Sequence, residues 1–136
     1  MPEATVLIPT FDHGPLIRHA LASAQRQSVR DIEIFVVGDG APPITRETVA
    51  GMAAADPRIR YFDNPKGEGC GERHRHRALG EAAGRIVCYL SDDDLWFPDH
   101  VETMAELLQT ADFAGGLQGR FFPDGRMYAQ PANIAL

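Results

Sequence analysis

The sequence is poor in cysteine and has no long apolar run. Its 136 residues include two cysteines, Cys70 and Cys88, too few for the disulfide framework of a small secreted domain. No apolar stretch is long enough for a transmembrane helix, and the N-terminal residues do not resemble a signal peptide. We therefore expect a cytoplasmic protein without a membrane span.

Positive charge is also scarce. The chain has 13 Lys and Arg residues against 19 Asp and Glu residues, which gives a net charge of −6. This balance excludes a general nucleic-acid or membrane-surface binder, because such proteins need an excess of basic residues. The length and the 44% hydrophobic content are typical of one globular domain, residues 1–136, with a core of its own.

The commonest nucleotide-binding and hydrolase motifs are missing. Gly67, Gly69 and Gly71 do not make a dinucleotide fingerprint, because Gly-x-Gly-x-x-Gly requires a glycine where Glu72 stands. There is no Walker A segment, no Gly-x-Ser-x-Gly elbow and no catalytic cysteine signature. Any chemistry on a nucleotide must therefore use another arrangement of residues.

What the chain does contain is an alternation of short apolar runs and amphipathic segments. The pattern predicts strands at 4–9, 32–37, 59–62 and 85–90, helices at 15–27, 45–55, 72–83 and 98–109, and a hairpin at 121–126. Pro15 and Thr45 are the expected helix starts, and Gly84 is the expected left-handed stop of the third helix. Alternating strands and helices predict an α/β fold, a three-layer α/β/α sandwich with a mainly parallel sheet.

Three adjacent carboxylates, Asp92, Asp93 and Asp94, follow the strand at 85–90. Carboxylates this close repel one another and stay ionised together most easily beside a cation. Oxygen ligands of this kind suit Mg²⁺ or Mn²⁺, and Mg²⁺ is usually shared between carboxylates and substrate phosphates. A solvated acidic turn that caps the next helix is an equally good interpretation of the triplet alone.

Polar residues also follow the first two strands. Thr10 and Asp12 come after the first strand, and Asp39 lies between two glycines after the second. Since the carboxyl ends of parallel strands share one edge of a sheet, these residues are expected to converge with the acidic triplet. A carboxylate at Asp39 can accept from a ribose hydroxyl or a base N–H, although an ordinary turn aspartate explains it slightly better in isolation.

A basic helix is predicted just before the fourth strand. Arg73, Arg75 and Arg77 alternate along it, so at most one or two of them can face a single site. A guanidinium there has the fork geometry that suits diphosphate oxygens. The remaining arginines are expected to lie on a solvated helix face.

Together these segments resemble the GT-A-fold glycosyltransferases of the family 2 type. Residues 5–12, Thr-Val-Leu-Ile-Pro-Thr-Phe-Asp, resemble the family's opening strand, and residues 34–40, Ile-Phe-Val-Val-Gly-Asp-Gly, resemble its Val-Val-Asp-Asp-Gly-Ser turn. Residues 75–86 resemble its Ala-Arg-Asn-x-Ala helix with the Gly-Glu-Tyr-Ile that follows. Residues 89–98, Tyr-Leu-Ser-Asp-Asp-Asp-Leu-Trp-Phe-Pro, resemble the region of its metal-binding Asp-x-Asp motif.

The resemblance implies a GT-A-like, Rossmann-like nucleotide-diphospho-sugar transferase fold and a metal-dependent glycosyltransferase. The donor would be a nucleoside-diphosphate sugar, with UDP the expected nucleotide and Mn²⁺ or Mg²⁺ the cofactor. Residues that match the family's nucleotide-binding positions are Pro9, Thr10, Phe11, Asp39, Arg75 and Asp92. Asp93 matches the direct metal ligand, and Asp94 is the second choice for that role. The resemblance assigns no catalytic base and no acceptor.

The sequence departs from the family pattern at Gly38 and Ser91, where the family has aspartates, and at Asp12, where it has asparagine. The family's acceptor half normally follows the segment matched here, so the domain is expected to be truncated and to transfer sugar poorly alone. A donor-binding module that needs a partner chain or a second copy is therefore an alternative. A nucleotidyltransferase ranks third, because the loop after the first strand is acidic and poor in glycine.

Overall fold

A computed structural model describes residues 1–129 of the chain, and four parallel strands form its central sheet. The strands are β1 (Ala4–Thr10), β2 (Ile32–Asp39), β3 (Ile59–Asn64) and β4 (Ile86–Tyr89). Their order across the sheet is β3-β2-β1-β4, and every neighbouring pair is parallel. The predicted alternation of strands and helices is therefore confirmed, and β1 lies between β2 and β4.

Four helices cover the two faces of this sheet. They are α1 (Ile17–Gln25), α2 (Pro43–Ala55), α3 (Glu72–Leu79) and α4 (His100–Leu107). The side chains of α1, α2 and α4 share one buried cluster with Val6 and Ile8 of β1. Ala78 of α3 packs with Leu7 and Phe35 on the opposite face. Successive strand residues point to opposite faces, so helices pack on both faces and the three-layer sandwich is confirmed. Val87 and Tyr89 of the edge strand β4 stay exposed.

Three helices begin at other residues than the sequence predicts, and the last of them, α4, starts at His100 rather than at 98, after a turn in which the His100 N–H donates to the Phe97 carbonyl oxygen. The first starts at Ile17 rather than Pro15, because a turn comes first in which the His13 carbonyl accepts from the Leu16 and Ile17 N–H groups. The second starts at Pro43, so Thr45 lies inside it and its buried hydroxyl has no hydrogen-bond partner among residues 1–129. Proline at the first helical position needs no donor of its own, which allows this earlier start.

Gly84 has a different role from the predicted helix stop. The third helix ends at Leu79, and Gly84 is not among the glycines with positive φ. A Cβ atom at Gly84 would lie 2.2 Å from the backbone nitrogen of Thr5. The chain therefore needs glycine here so that the backbone entering β4 can pass directly against β1.

The predicted hairpin is also present. Strands β5 (Gly119–Phe121) and β6 (Met127–Ala129) pair antiparallel, and Gly125 takes a φ of 83° in the turn between them. Both strands are exposed, so the hairpin adds nothing to the core. No helix within residues 1–129 is long and apolar enough to cross a membrane.

Candidate functional site

The carboxyl ends of β1, β2 and β4 surround a cavity of about 440 Å³. The residues predicted to bind nucleotide all line it, and they are Pro9, Thr10, Phe11, Asp39, Arg75 and Asp92. Asp12 lines it as well, whereas Asp93 and Asp94 do not. The expected convergence of strand-end residues therefore occurs, because parallel strands bring their carboxyl ends to one edge.

Asp92 is the buried centre of one side of this site. It is 7% exposed, and its Oδ2 accepts a hydrogen bond from Thr10 Oγ1 at 2.6 Å. Its Oδ1 lies 2.8 Å from His13 Nδ1. This hydrogen bond, together with the negative charge of Asp92, raises the pKa of His13. The neighbouring positions of β1 and β4 in the sheet bring these three side chains together.

Asp93 and Asp94 occupy different environments despite being adjacent. Ser91 Oγ donates to Asp93 Oδ1 at 2.6 Å, and this bond helps to hold the pKa of Asp93 below its usual value. Burial and the charges of Asp93 and Asp92 raise the pKa of Asp94. Serine at 91, where the family has aspartate, thus supplies a hydrogen-bond donor to Asp93 instead of a further negative charge.

A divalent cation fits the donor set on this side. One ligand atom each from His13, Asp92 and Asp93 lie within 4.8 Å of one another. Two carboxylates and an imidazole are suitable ligands for a divalent metal ion. Burial and the neighbouring negative charges of Asp93 and Asp92 raise the pKa of Asp94, and a cation at the acidic turn would offset the repulsion between these carboxylates.

Asp39 is held on the other side of the cavity. It is 6% exposed, its Oδ2 accepts from the Lys66 ammonium, and its Oδ1 accepts from the Gly67 N–H at 2.6 Å. His74 Nε2 lies 3.5 Å from the same Oδ1. Burial by itself raises the pKa of Asp39, but the bonds from Lys66 and Gly67 outweigh it and the pKa falls below the usual value.

The glycines of the loop before α3 allow this close contact with Asp39. A Cβ atom at Gly71, where φ is +78°, would lie 3.1 Å from the Cβ of Asp39. One at Gly67 would lie 2.9 Å from His74 Nε2. The glycines that fail to make a dinucleotide fingerprint therefore let the loop close around the carboxylate at the end of β2.

Arg75 and Phe11 complete the lining. Arg75 Nη1 donates to the Cys70 carbonyl oxygen at 2.6 Å, which orients its guanidinium at the N-terminal end of α3. The Lys66 ammonium lies 5.4 Å from the centre of the Phe11 ring, within cation–π range. Phe11 is 46% exposed, so the ring presents an aromatic face at the mouth of the cavity.

The departure at Gly38 has a packing cause. A Cβ atom at Gly38 would lie 2.7 Å from the Tyr61 hydroxyl oxygen. The ring of Tyr61 therefore occupies the space that a side chain at position 38 would need. Desolvation, with a smaller contribution from Asp63, raises the pKa of Tyr61 to about 12, so the phenol stays neutral.

Among the side chains of the cavity that sequence reasoning missed, His13 and Lys66 are the two that bond a predicted aspartate. Both line the cavity, and each contacts a predicted aspartate directly. Their signal in the sequence was weak: His13 is three residues from Thr10 in a loop, and Lys66, the chain's one lysine, precedes a glycine-rich segment. Each can be recognised as a site residue only in the folded chain, because its partner carboxylate is distant in sequence: Asp92 is 79 residues from His13, and Asp39 is 27 residues from Lys66.

Residues 5–134 match Glycosyl transferase family 2. The chain belongs to that family. Among curated family 2 relatives, a GalNAc(5)-diNAcBac-PP-undecaprenol beta-1,3-glucosyltransferase of Campylobacter jejuni is 34% identical over 69% of this chain and 30% of its own length. The succinoglycan biosynthesis protein ExoW of Rhizobium meliloti is 33% identical over 74% of this chain and 32% of its own length.

Solved structures agree with the family 2 fold. A mannosyltransferase from Pyrobaculum calidifontis, in complex with GDP-Man and Mn²⁺, superposes with a TM-score of 0.71 and 26% identity over 79% of this chain and 32% of its own. The TarS 1–349 structure from S. aureus, in complex with UDP-GlcNAc, has a TM-score of 0.69 at 21% identity, over 80% of this chain and 31% of its own. The GT-A type of fold is thereby confirmed. The chain spans about a third of the length of most of these proteins.

Proposed function

We propose that this family 2 chain forms the donor-binding part of a metal-dependent glycosyltransferase that uses a nucleoside-diphosphate sugar. The observation that carries the proposal is the convergence of Thr10, Asp39, Arg75 and Asp92 on one cavity at the carboxyl edge of the sheet. Ligands of open α/β sheets bind at this edge. The Pyrobaculum relative, which holds GDP-Man and Mn²⁺, supports the same ligand class.

The nucleoside would lie on the β2 side of the cavity. Asp39 offers a buried carboxylate that can accept from a base N–H or a ribose hydroxyl, and Phe11 offers an exposed aromatic face. Pro9 and Thr10 would form the backbone wall between them, since both line the cavity at the end of β1. We propose UDP as the nucleotide, and a binding comparison of UDP with GDP tests that choice.

The metal would lie on the β4 side, and the diphosphate would lie between the metal and Arg75 on α3, the helix that packs against β2. Arg75 would donate to phosphate oxygens, for which its planar guanidinium is well shaped. Asp92 would contact the ribose or the metal, and Asp93 and Asp94 would hold Mn²⁺ or Mg²⁺. A bound cation supplies electrostatic stabilisation for the negative charge that develops on a departing diphosphate.

The reaction would be attack of an acceptor hydroxyl on the anomeric carbon of the donor sugar. The new bond joins that carbon to the acceptor oxygen, the bond from the same carbon to the diphosphate breaks, and the acceptor proton passes to a base. The chain's residues contribute by holding the diphosphate end of the donor in place, which fixes the geometry of attack. We also propose a cytoplasmic location, supported by two cysteines that are both free thiols.

The test is calorimetric binding of UDP and GDP to the whole 136-residue chain, with Mn²⁺, with Mg²⁺ and with chelator. We expect measurable affinity with metal and a loss of at least tenfold with chelator. Asp93→Asn should reduce the metal-dependent gain, whereas Asp112→Asn, which changes an exposed aspartate outside the site, should not. Equal affinity with metal and with chelator would contradict the metal role, and no binding of either nucleotide would contradict the proposed function.

A further inference from the structure

His13 faces the metal side of the site from a different segment of the chain than the acidic triplet. It lies in the loop after β1, and its Nδ1 is 2.8 Å from Asp92 Oδ1. Within residues 1–129, His13, Asp92 and Asp93 are the one group of three His, Cys, Asp or Glu side chains whose ligand atoms cluster within 4.8 Å. The predicted ligands from the triplet are all oxygens, so His13 would add the first nitrogen.

The position of His13 is fixed by its backbone. Its carbonyl oxygen accepts from the Leu16 N–H at 2.9 Å and from the Ile17 N–H at 3.1 Å, which joins it to the first turn of α1. Thr10 Oγ1 holds the other oxygen of Asp92 at 2.6 Å. Two separate segments, the loop after β1 and the turn after β4, thus bring the imidazole of His13 and Oδ1 of Asp92 together.

The spacing suits an octahedral ion. With metal–ligand distances of about 2.1 Å, neighbouring ligand atoms of an octahedron lie about 3.0 Å apart and opposite ones about 4.2 Å apart. The 2.8 Å separation of His13 Nδ1 and Asp92 Oδ1 matches a neighbouring pair. All three ligand atoms lie within 4.8 Å of one another. The hydrogen bond from Ser91 to Asp93 keeps the third ligand nearby.

We propose that His13 is a nitrogen ligand of the metal and makes the site select Mn²⁺ over Mg²⁺. Mg²⁺ is a hard cation that takes oxygen ligands and keeps several waters. Mn²⁺ also takes oxygen ligands, but as a first-row transition metal it accepts mixed nitrogen and oxygen sites, so one imidazole beside two carboxylates favours it over Mg²⁺. This inference rests on the proposed function, since it assumes that a divalent ion binds beside the acidic triplet. It goes beyond that function by assigning a residue outside the triplet as the determinant of metal choice.

The decisive measurement compares the wild-type chain with a His13 variant. Mn²⁺ bound to the whole protein without nucleotide is expected to show ¹⁴N hyperfine coupling in pulsed electron paramagnetic resonance. His13→Asn should abolish this coupling and should reduce the preference for Mn²⁺ over Mg²⁺ by about tenfold, the scale on which loss of a metal-site residue changes affinity. Titration calorimetry with each metal alone gives that preference.

His19→Asn is the matched control, because His19 is an exposed histidine on α1 outside the cavity lining. It should keep both the nitrogen coupling and the metal preference. The assignment of His13 would be overturned if Mn²⁺ bound to the wild type without nitrogen coupling, or if His13→Asn kept the same preference for Mn²⁺ over Mg²⁺. Metal-dependent binding of UDP or GDP would still support the proposed function in that case. Absence of both nucleotide and metal binding would instead overturn the proposed function, and this inference with it.

Discussion

Replacement of Asp39 separates a role in nucleotide binding from a role in folding. The carboxylate is 6% exposed and accepts from the Gly67 N–H and from Lys66. In Asp39→Ala the partly buried Gly67 N–H loses a charged acceptor, which costs about 2 kcal/mol. The Lys66 side chain is 49% exposed, so loss of this ion pair adds only about 0.5 kcal/mol.

The expected loss of unfolding free energy for Asp39→Ala is therefore about 2.5 kcal/mol, or a fall in Tm of about 8 °C for a chain of this size. Asp39→Asn should lose about 1 kcal/mol, because its amide oxygen can still accept from the Gly67 N–H. Thermal melts and urea titrations measure both values. Asp63→Asn is the control, since Asp63 is the last residue but one of the neighbouring strand β3, is exposed and lies 3.6 Å from its partner Arg46.

Nucleotide affinity decides between the two roles. In Asp39→Asn the second carboxylate oxygen becomes an amide donor that cannot accept from a ribose hydroxyl or a base N–H. We expect UDP or GDP to bind about 10- to 100-fold more weakly, equivalent to the loss of one charged hydrogen bond. Unchanged nucleotide affinity in both Asp39 variants, beside the predicted loss of stability, would show that Asp39 only holds the loop and would refute the binding role.

Three further predictions concern residues outside the cavity that stabilise the fold. Gln27 is fully buried, and its side-chain amide donates to the Phe97 carbonyl oxygen and accepts from the Val101 N–H of α4. Gln27→Leu should therefore lose about 3 kcal/mol of unfolding free energy in urea titrations. Gly84→Ala should lower the free energy of unfolding by about 4 kcal/mol and lower Tm sharply, because the added Cβ would meet the Thr5 backbone. A Tm equal to that of the wild type would contradict this steric explanation. Hydrogen bonds from Arg58 hold the pKa of the buried Asp56 well below its usual value. The ionised carboxylate therefore stabilises the fold at pH values above its unfolded pKa of about 3.9, and this stabilisation is lost as the pH falls toward the folded pKa. The stability gap between wild type and Asp56→Asn should thus be larger at pH 7 than at pH 3, and a gap independent of pH would exclude the ionised carboxylate as its cause.

Much of the site could be predicted because its residues follow strands directly. Asp39 and Asp92 each end an apolar run that is long enough for a strand, and parallel strands place such residues on one edge. The cavity lining confirms that placement for every predicted nucleotide-binding residue. Their chemical roles stay predictions, which the binding experiments test.

The contacts of the site were beyond sequence reasoning because they join distant segments. His13 meets Asp92, and Lys66 meets Asp39, only when the lateral order of the strands is known. Periodicity reports which face of a strand is buried, but it does not report which strand lies beside it.

The sequence by itself determined the succession of strands and helices, the parallel sheet and the edge that carries the polar residues. Local apolar periodicity and turn chemistry are enough for these features. The tertiary structure alone decided that β1 lies between β2 and β4, that Gly84 is required by the approach of two backbones and not by a helix stop, and that His13 joins the acidic turn. Each of these depends on packing between segments far apart in the chain, and packing is fixed only when the whole core forms.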